Sequence, residues 1–196
     1  MSISNISFGQ KIPLMKCNIK DRKKNTNIPV IISEYDCRHR SDFKDVLCMR
    51  DDFYYFMDIA CNMQDKYIDQ KENTGKNNSH FYIMNSEDGK NIGICQTKDV
   101  NGDVEIEYIE SVQNGEYKYA GQSMIASVCK KMLESKANKV IILAPVIDCL
   151  DFYIKKCGFK PSDENFYRLE ADRNNAQRLI DSTQEKTGSP ILNING

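Results

Sequence analysis

The sequence predicts a single α/β domain, an α+β arrangement around a mixed and mostly antiparallel sheet, and three observations carry that prediction. β-rich runs and amphipathic helical stretches alternate along 196 residues, a length that suits one domain with a sizeable core. Asp88-Gly89 and Asn101-Gly102 are tight-turn dipeptides that fold the strands around them into a meander. Lys139 to Ala144 is a continuous apolar run of strand length, as a sheet's buried centre requires.

In chain order, residues 1–27 read as a polar arm, basic near Asp21 to Lys24. Residues 28–171 form the domain. Ile28 to Tyr35 is its first strand, with Pro29 suited to a strand's start. Ser41 to Met49 and Asp51 to Gln70 read as helices; in the second, Phe53, Phe56, Met57, Ala60 and Met63 recur at helical steps. Lys71 to Asn78 is a polar break. His80 to Asn85, Asn91 to Thr97 and Val104 to Val112 are the meander strands. Ala120 to Ser135 follows as a helix with Met124, Ile125, Val128 and Met132 on its buried stripe. After the apolar run come a short helix, Ile147 to Lys156, and a last strand near Asn165 to Leu169. Residues 172–196 are Asn-, Gln- and Ser-rich and read as a polar tail that begins helically and frays.

Hydrophobic residues make up 40% and charged residues 28%, ordinary for a globular chain. The formal net charge of −1 gives no global field favouring nucleic acid or an anionic membrane, so neither is expected as a partner. No stretch reaches the roughly 18 apolar residues of a membrane span. The start, MSISNISFGQKIPLMKC, lacks a signal peptide's layout, which predicts a cytoplasmic protein. Its Ser, Asn and Ile content is also found at the start of bacterial proteins delivered into host cells by type III secretion, the alternative location. The eight cysteines show no paired spacing and the two histidines, His39 and His80, are far apart. No metal site is expected, and the thiols read as free small hydrophobes.

Two segments give the chain a family resemblance: EIEYIESVQNGEYKYAGQSMIASVCKKM, Glu105 to Met132, and VIILAPVIDCLDFYIKKCGFK, Val140 to Lys160. With the order of elements around them, they resemble the GNAT superfamily of N-acetyltransferases over roughly residues 28–170. A strand that feeds a polar loop and then a helix presents uncapped N–H groups and a positive dipole end, a site for a pyrophosphate. The resemblance places coenzyme A there, over a loop usually reading Gln/Arg-x-x-Gly-x-Gly/Ala. The aligned residues are Glu116, Tyr117, Lys118, Tyr119, Ala120 and Gly121, of which Gly121 alone matches. Glu116 stands where a neutral or cationic residue is usual and Tyr119 where a glycine lets backbone approach phosphate. Lys118 offers compensating charge, and Gln122 and Ser123 offer backbone amides. Ile109, Glu110 and Ser111 match the strand end that splays away from its neighbour to receive the pantetheine amides.

Acetyl transfer needs the amine deprotonated and the departing thiolate protonated. The resemblance aligns Glu105 with a strand glutamate that serves as base. Glu107, two residues on and on the same face of a regular strand, is the other candidate, and a water chain is the third. Tyr153 occupies the tyrosine of the FY-x-K-K-x-GF segment, which the resemblance makes the general acid toward sulfur. Val146 and Cys149 replace the Asn-x-x-Ala pattern common before it. Acetyl-CoA is thus the expected cosubstrate and an amine, on a protein or a small molecule, the acceptor. Asp51, Asp52, Tyr54 and Tyr55 would suit a cationic amine. Two alternatives remain open: a catalytically impaired binding module of this shape, and a secreted effector acetylating a host protein.

Overall fold

The computed structural model describes residues 10–36, 78–112, 115–163, 165 and 167–194. The helices expected within 41–70, the polar break after them up to Asn77, Cys37-Arg38-His39, and the acidic and aromatic residues 51–55 lie outside that set.

β1 (Gln10–Asp21) and β2 (Thr26–Asp36) form a long antiparallel hairpin. The meander follows as β3 (Ser79–Ser86), β4 (Asn91–Val100) and β5 (Asp103–Ser111). Its turns are those the dipeptides announce: Asn101 and Gly102 both take positive φ, at 52° and 83°, the geometry of a tight hairpin turn that follows strand twist. A two-residue strand, β6 (Tyr117–Lys118), precedes α1 (Ala120–Glu134), and β7 (Lys139–Leu143) returns to the sheet. The short helix read over Ile147 to Lys156 is an unbroken helical stretch that opens as a 3-10 turn (Ile147–Cys149) and ends as a π-helical turn (Phe152–Lys156). β8 (Lys160–Pro161) and β9 (Arg168–Asp172) complete that edge; the last strand lies a few residues later than expected. α2 (Arg173–Thr187) and β10 (Leu192–Asn193) end the described chain.

The sheet order is β10-β1-β2-β3-β4-β5-β7-β9-β8, with β6 pairing β1 as well. The β5–β7 pair is parallel, as a crossover through α1 demands, and the remaining pairs are antiparallel. α1 lays Met124, Ile125, Val128 and Met132 on one face of the sheet, among Met15, Cys17, Ile19, Tyr82, Cys95 and Ile106. Each such side chain taken from water stabilises the fold by about 1.5–3 kcal/mol before ordering entropy is counted. Tyr35, Phe81, Ile83, Ile94 and Ile141 are also buried but point to the opposite face, alternating with members of that core along β3 and β7.

Residues 10–27 and 173–193 are built into strands and a packed helix, where the sequence reads an arm and a tail. Residues 10–27 hold β1 and its turn, because Met15, Cys17 and Ile19 alternate with polar residues as a half-buried strand must. Within 172–196, Ala176, Leu179, Ile180 and Thr183 form a buried stripe that the polar composition masks. Asp172 accepts the Asn175 N–H at 2.8 Å as N-cap, and Gly188, at φ 64°, closes the helix in the left-handed conformation.

Arg173 ties the two helices together. Its guanidinium donates to the carbonyl of Leu133 at 2.6 Å and of Ala137 at 2.7 Å, where α1 runs out of intrahelical partners. Arg173→Met should cost about 1–2 kcal/mol, read as a lower thermal midpoint; an unchanged midpoint would remove this role.

Candidate active site

The β5–β7 ladder pairs Val104 with Val140, Glu105 with Ile141 and Ile106 with Ile142, and ends there. β5 continues to Ser111 along β4, so the sheet opens on the far side of β5 from Glu107 onward. The opening coincides with a bulge: Thr97 faces Ile106 and Gln96 faces Tyr108, leaving Glu107 as the extra residue. The bulge explains why Ile106 and Ile109, three residues apart, both join the core under α1. It also means that Glu105 and Glu107 are not related by simple alternation, contrary to the reading of a regular strand. Glu107 is exposed at the opening, whereas Glu105 is half-buried inside the paired stretch, across from Lys98.

The three residues expected to meet pantetheine line this opening unequally. Ile109 is partly buried against the core, Ser111 lies opposite Gly93, and Glu110 is 9% exposed on the other face. Tyr108 donates its phenolic O–H to Glu110. Burial first, and then the Glu110 hydrogen bond and charge, push the Tyr108 phenol above its ordinary range.

β5 leads through the loop into α1. Tyr119, the N-cap, has φ 70° and ψ 2°, the left-handed region, so it keeps a glycine's backbone shape with a tyrosine side chain. No side chain caps the helix and its first turn carries no acid. Ser123 N–H donates to the Tyr119 carbonyl at 2.7 Å, which withdraws it from the expected set of free amides. Ala120, Gly121 and Gln122 are therefore the first-turn donors left facing the loop. The side chain of Gln122 is occupied, reaching the Lys156 carbonyl at 3.2 Å and Ser182 Oγ at 3.4 Å. Ala120 is buried in the core. Packing at Gly121 is close: a Cβ there would lie 3.3 Å from Phe152 Cζ, so the ring would have to shift by a few tenths of an ångström.

Glu116, the unusual acid of the loop, is neutralised in place. It accepts hydrogen bonds from Lys23, at the β1–β2 turn, and from Lys90 at 2.6 Å. The Arg22 N–H donates to its carbonyl at 2.7 Å. Those lysines hold its carboxyl down at about 2 against burial's weaker upward push. Tyr117 pairs with Asp21 and lies 5.3 Å beneath the Lys90 ammonium. Lys118 is exposed and sits directly across from Lys20, a like-charged pair beside the helix N-terminus. The loop is thus held down by two hairpin turns, a support invisible in the linear motif.

Tyr153 comes from the π-helical turn and is 7% exposed. Its ring meets Phe152 edge-on at 5.3 Å, and Phe152 in turn abuts Gly121, so the loop and the tyrosine are mechanically linked. Burial first, then the neighbouring Cys149, Cys157 and Cys95 thiols, raise the phenol above its ordinary value of 10. Val146 and Ile147 are exposed at the end of β7, 63% and 81% accessible, and Ala144 there takes φ 44°. Among the described residues no group of three or more His, Cys, Asp or Glu side chains could hold a metal ion.

No protein-family model matches the chain, and no curated protein does. Solved structures do. A candidate acetyltransferase of the GNAT family from Desulfovibrio desulfuricans superposes with a TM-score of 0.53 at 12% identity, over 74% of this chain and 99% of that one. AtaTR bound with acetyl-CoA gives 0.50 at 14%, over 76% and 97%. AtaT complexed with acetyl-methionyl-tRNA gives 0.53 at 12%, over 76% and 98%. The chain therefore has the GNAT acetyltransferase fold. The tRNA-bound neighbour corrects the expectation that nucleic acid is no partner: a net charge near zero says nothing about local patches such as Lys20 and Lys118, and a protein of this fold holds RNA.

Two outcomes test this geometry. Tyr119→Gly should relieve left-handed strain of about 1–2 kcal/mol, partly offset by glycine's entropy, and bare the helix N-terminus. Its melting temperature should not fall and coenzyme A should bind more tightly; a fall of several degrees would show the tyrosine side chain to be the dominant contact. Glu116 has a folded pKa below its ordinary 4.5, so its stabilisation is complete above that pH and is lost as pH falls toward about 2. Glu116→Gln should melt earlier than the parent at pH 6, with the difference vanishing over that acid window. Equal melting at pH 6 would show that the clamp contributes nothing.

Proposed function

We propose that the protein is an acetyl-CoA-dependent N-acetyltransferase that passes the acetyl group directly to an amine. One observation carries this reading: β5 outruns β7 and then delivers the chain to an uncapped helix N-terminus, so a free strand edge and a phosphate site lie on one path. A pantetheine chain with a pyrophosphate at its end has that shape and that order of polar groups. Acetyl-CoA in AtaTR, of the same fold, supports the choice.

In the reaction, the amine nitrogen attacks the thioester carbonyl carbon, a C–N bond forms, the C–S bond breaks, and the amine's proton leaves. Glu107, exposed at the mouth, is the better-placed base; Glu105 sits further back in the closed ladder. Tyr153, held protonated by its raised pKa, returns a proton to the coenzyme A thiolate. The acetyl-methionyl-tRNA held by AtaT makes aminoacyl groups an acceptor class to examine beside free amines.

Calorimetric titration with acetyl-CoA, CoA and ATP, followed by turnover in Tyr153→Phe, tests the proposal. The CoA forms should bind in the micromolar range and ATP much more weakly. Tyr153→Phe should lower kcat while leaving cofactor affinity intact. Absence of CoA binding would overturn the function, and undiminished turnover would overturn the acid.

A further inference from the structure

Gln96 lies on β4, 2% exposed, and its side-chain amide nitrogen has no hydrogen-bond partner among the described residues. Buried amides are nearly always satisfied, so an orphaned donor calls for a physical account. Its surroundings are specific. Phe81 faces it from β3 and Tyr108 from β5, and Ile94 shares its side of the sheet, so the group is walled by aromatic and apolar surface. Tyr108 donates its O–H to Glu110, and its oxygen accepts no hydrogen bond from the Gln96 nitrogen. The Gln96–Tyr108 pair also flanks the bulge at Glu107, where the sheet opens.

We infer that the Gln96 amide is a substrate-binding donor of the acetyl-transfer site, made for a carbonyl oxygen; this rests on the acetyltransferase reading above. The chemistry selects a carbonyl. An N–H aimed at the attacking amine would occupy the lone pair that must reach carbon, whereas a carbonyl oxygen has free lone pairs. Two sources exist. One is the thioester, whose oxygen gains negative charge as the C–N bond forms and loses it as the C–S bond breaks. The other is a carbonyl beside the acceptor amine, as in an α-amino ester or amide. A site with a buried donor of this kind discriminates strongly against a ligand that leaves it unpaired.

The test uses the full chain and Gln96→Leu, with Gln96→Met as the second variant should leucine's branching prevent folding. Acetyl-CoA and CoA are titrated side by side, and kcat and KM are measured with methionine methyl ester and with propylamine at saturating acetyl-CoA. Removing an orphaned polar group should leave the melting temperature unchanged or raise it. If the partner is the thioester, the variant loses any preference for acetyl-CoA over CoA and kcat falls about a hundredfold for both amines. If it is the acceptor's carbonyl, the acetyl-CoA preference survives and the loss is confined to the methyl ester. A variant that keeps the acetyl-CoA preference and the parent's kcat/KM for both amines overturns the inference. A parent protein that binds neither CoA form overturns the acetyltransferase reading itself, an outcome visible before any variant is made.

Discussion

The molecule is organised by a ladder that stops early. Parallel strands joined through a helix gain stability from every residue they pair, yet β5 and β7 pair over Val104–Ile106 with Val140–Ile142 and then separate. The extra residue at Glu107 turns β5, and Ala144 in the left-handed region turns the end of β7. Both are local costs where the β5–β7 ladder gives up hydrogen bonds, and strain that serves a site is expected to collect at such places. In the proposed function, the backbone edge so created receives the amides of a pantetheine chain and the loop beyond it receives the phosphates.

The remaining architecture keeps that opening in shape. α1 cannot slide along the sheet because its buried stripe is locked beneath it and Arg173 holds its C-terminal carbonyls. Its N-terminus is fixed from the other side, where Gly121 seats Phe152 and Phe152 seats Tyr153. The β1–β2 turn and the β3–β4 turn reach the same loop through Lys23 and Lys90 on Glu116. Exposed ion pairs contribute little to global stability one at a time. Here their weight lies in position, since they fix a loop that carries Tyr119, not a glycine, in the left-handed conformation at its end.

Most of the central sheet was legible because its signals are local. Asp88-Gly89, Asn101-Gly102 and the apolar run from Lys139 each act within a few residues, and the structure follows them. The two ends were not legible, because their partners are far away in sequence. β1 is held by β2 and β10, and α2 by a stripe of Ala176, Leu179 and Ile180 diluted in Asn and Gln. At the candidate site, the motif points to Tyr119, Gly121 and Tyr153, but the bulge that separates Glu105 from Glu107 depends on a register no single strand encodes. Gln96 carried one available signal, an amide inside the apolar run NIGICQT, and its orphaned nitrogen emerges only from the packing around it.

The departures from the usual loop sequence bear on whether the site is functional, and they do not point to decay. A decaying loop would lose its backbone form along with its residues. Tyr119 instead retains the glycine conformation at φ 70°, against the preference of a side chain with a Cβ. Glu116, which alone would repel a pyrophosphate, is met by Lys23 and Lys90, and Lys118 and Lys20 add positive charge beside the helix N-terminus. A loop selected only to close a chain would need neither the strained N-cap nor the cationic collar. The two features together are what a polyanion requires: backbone amides aimed at it, and a field that favours its charge.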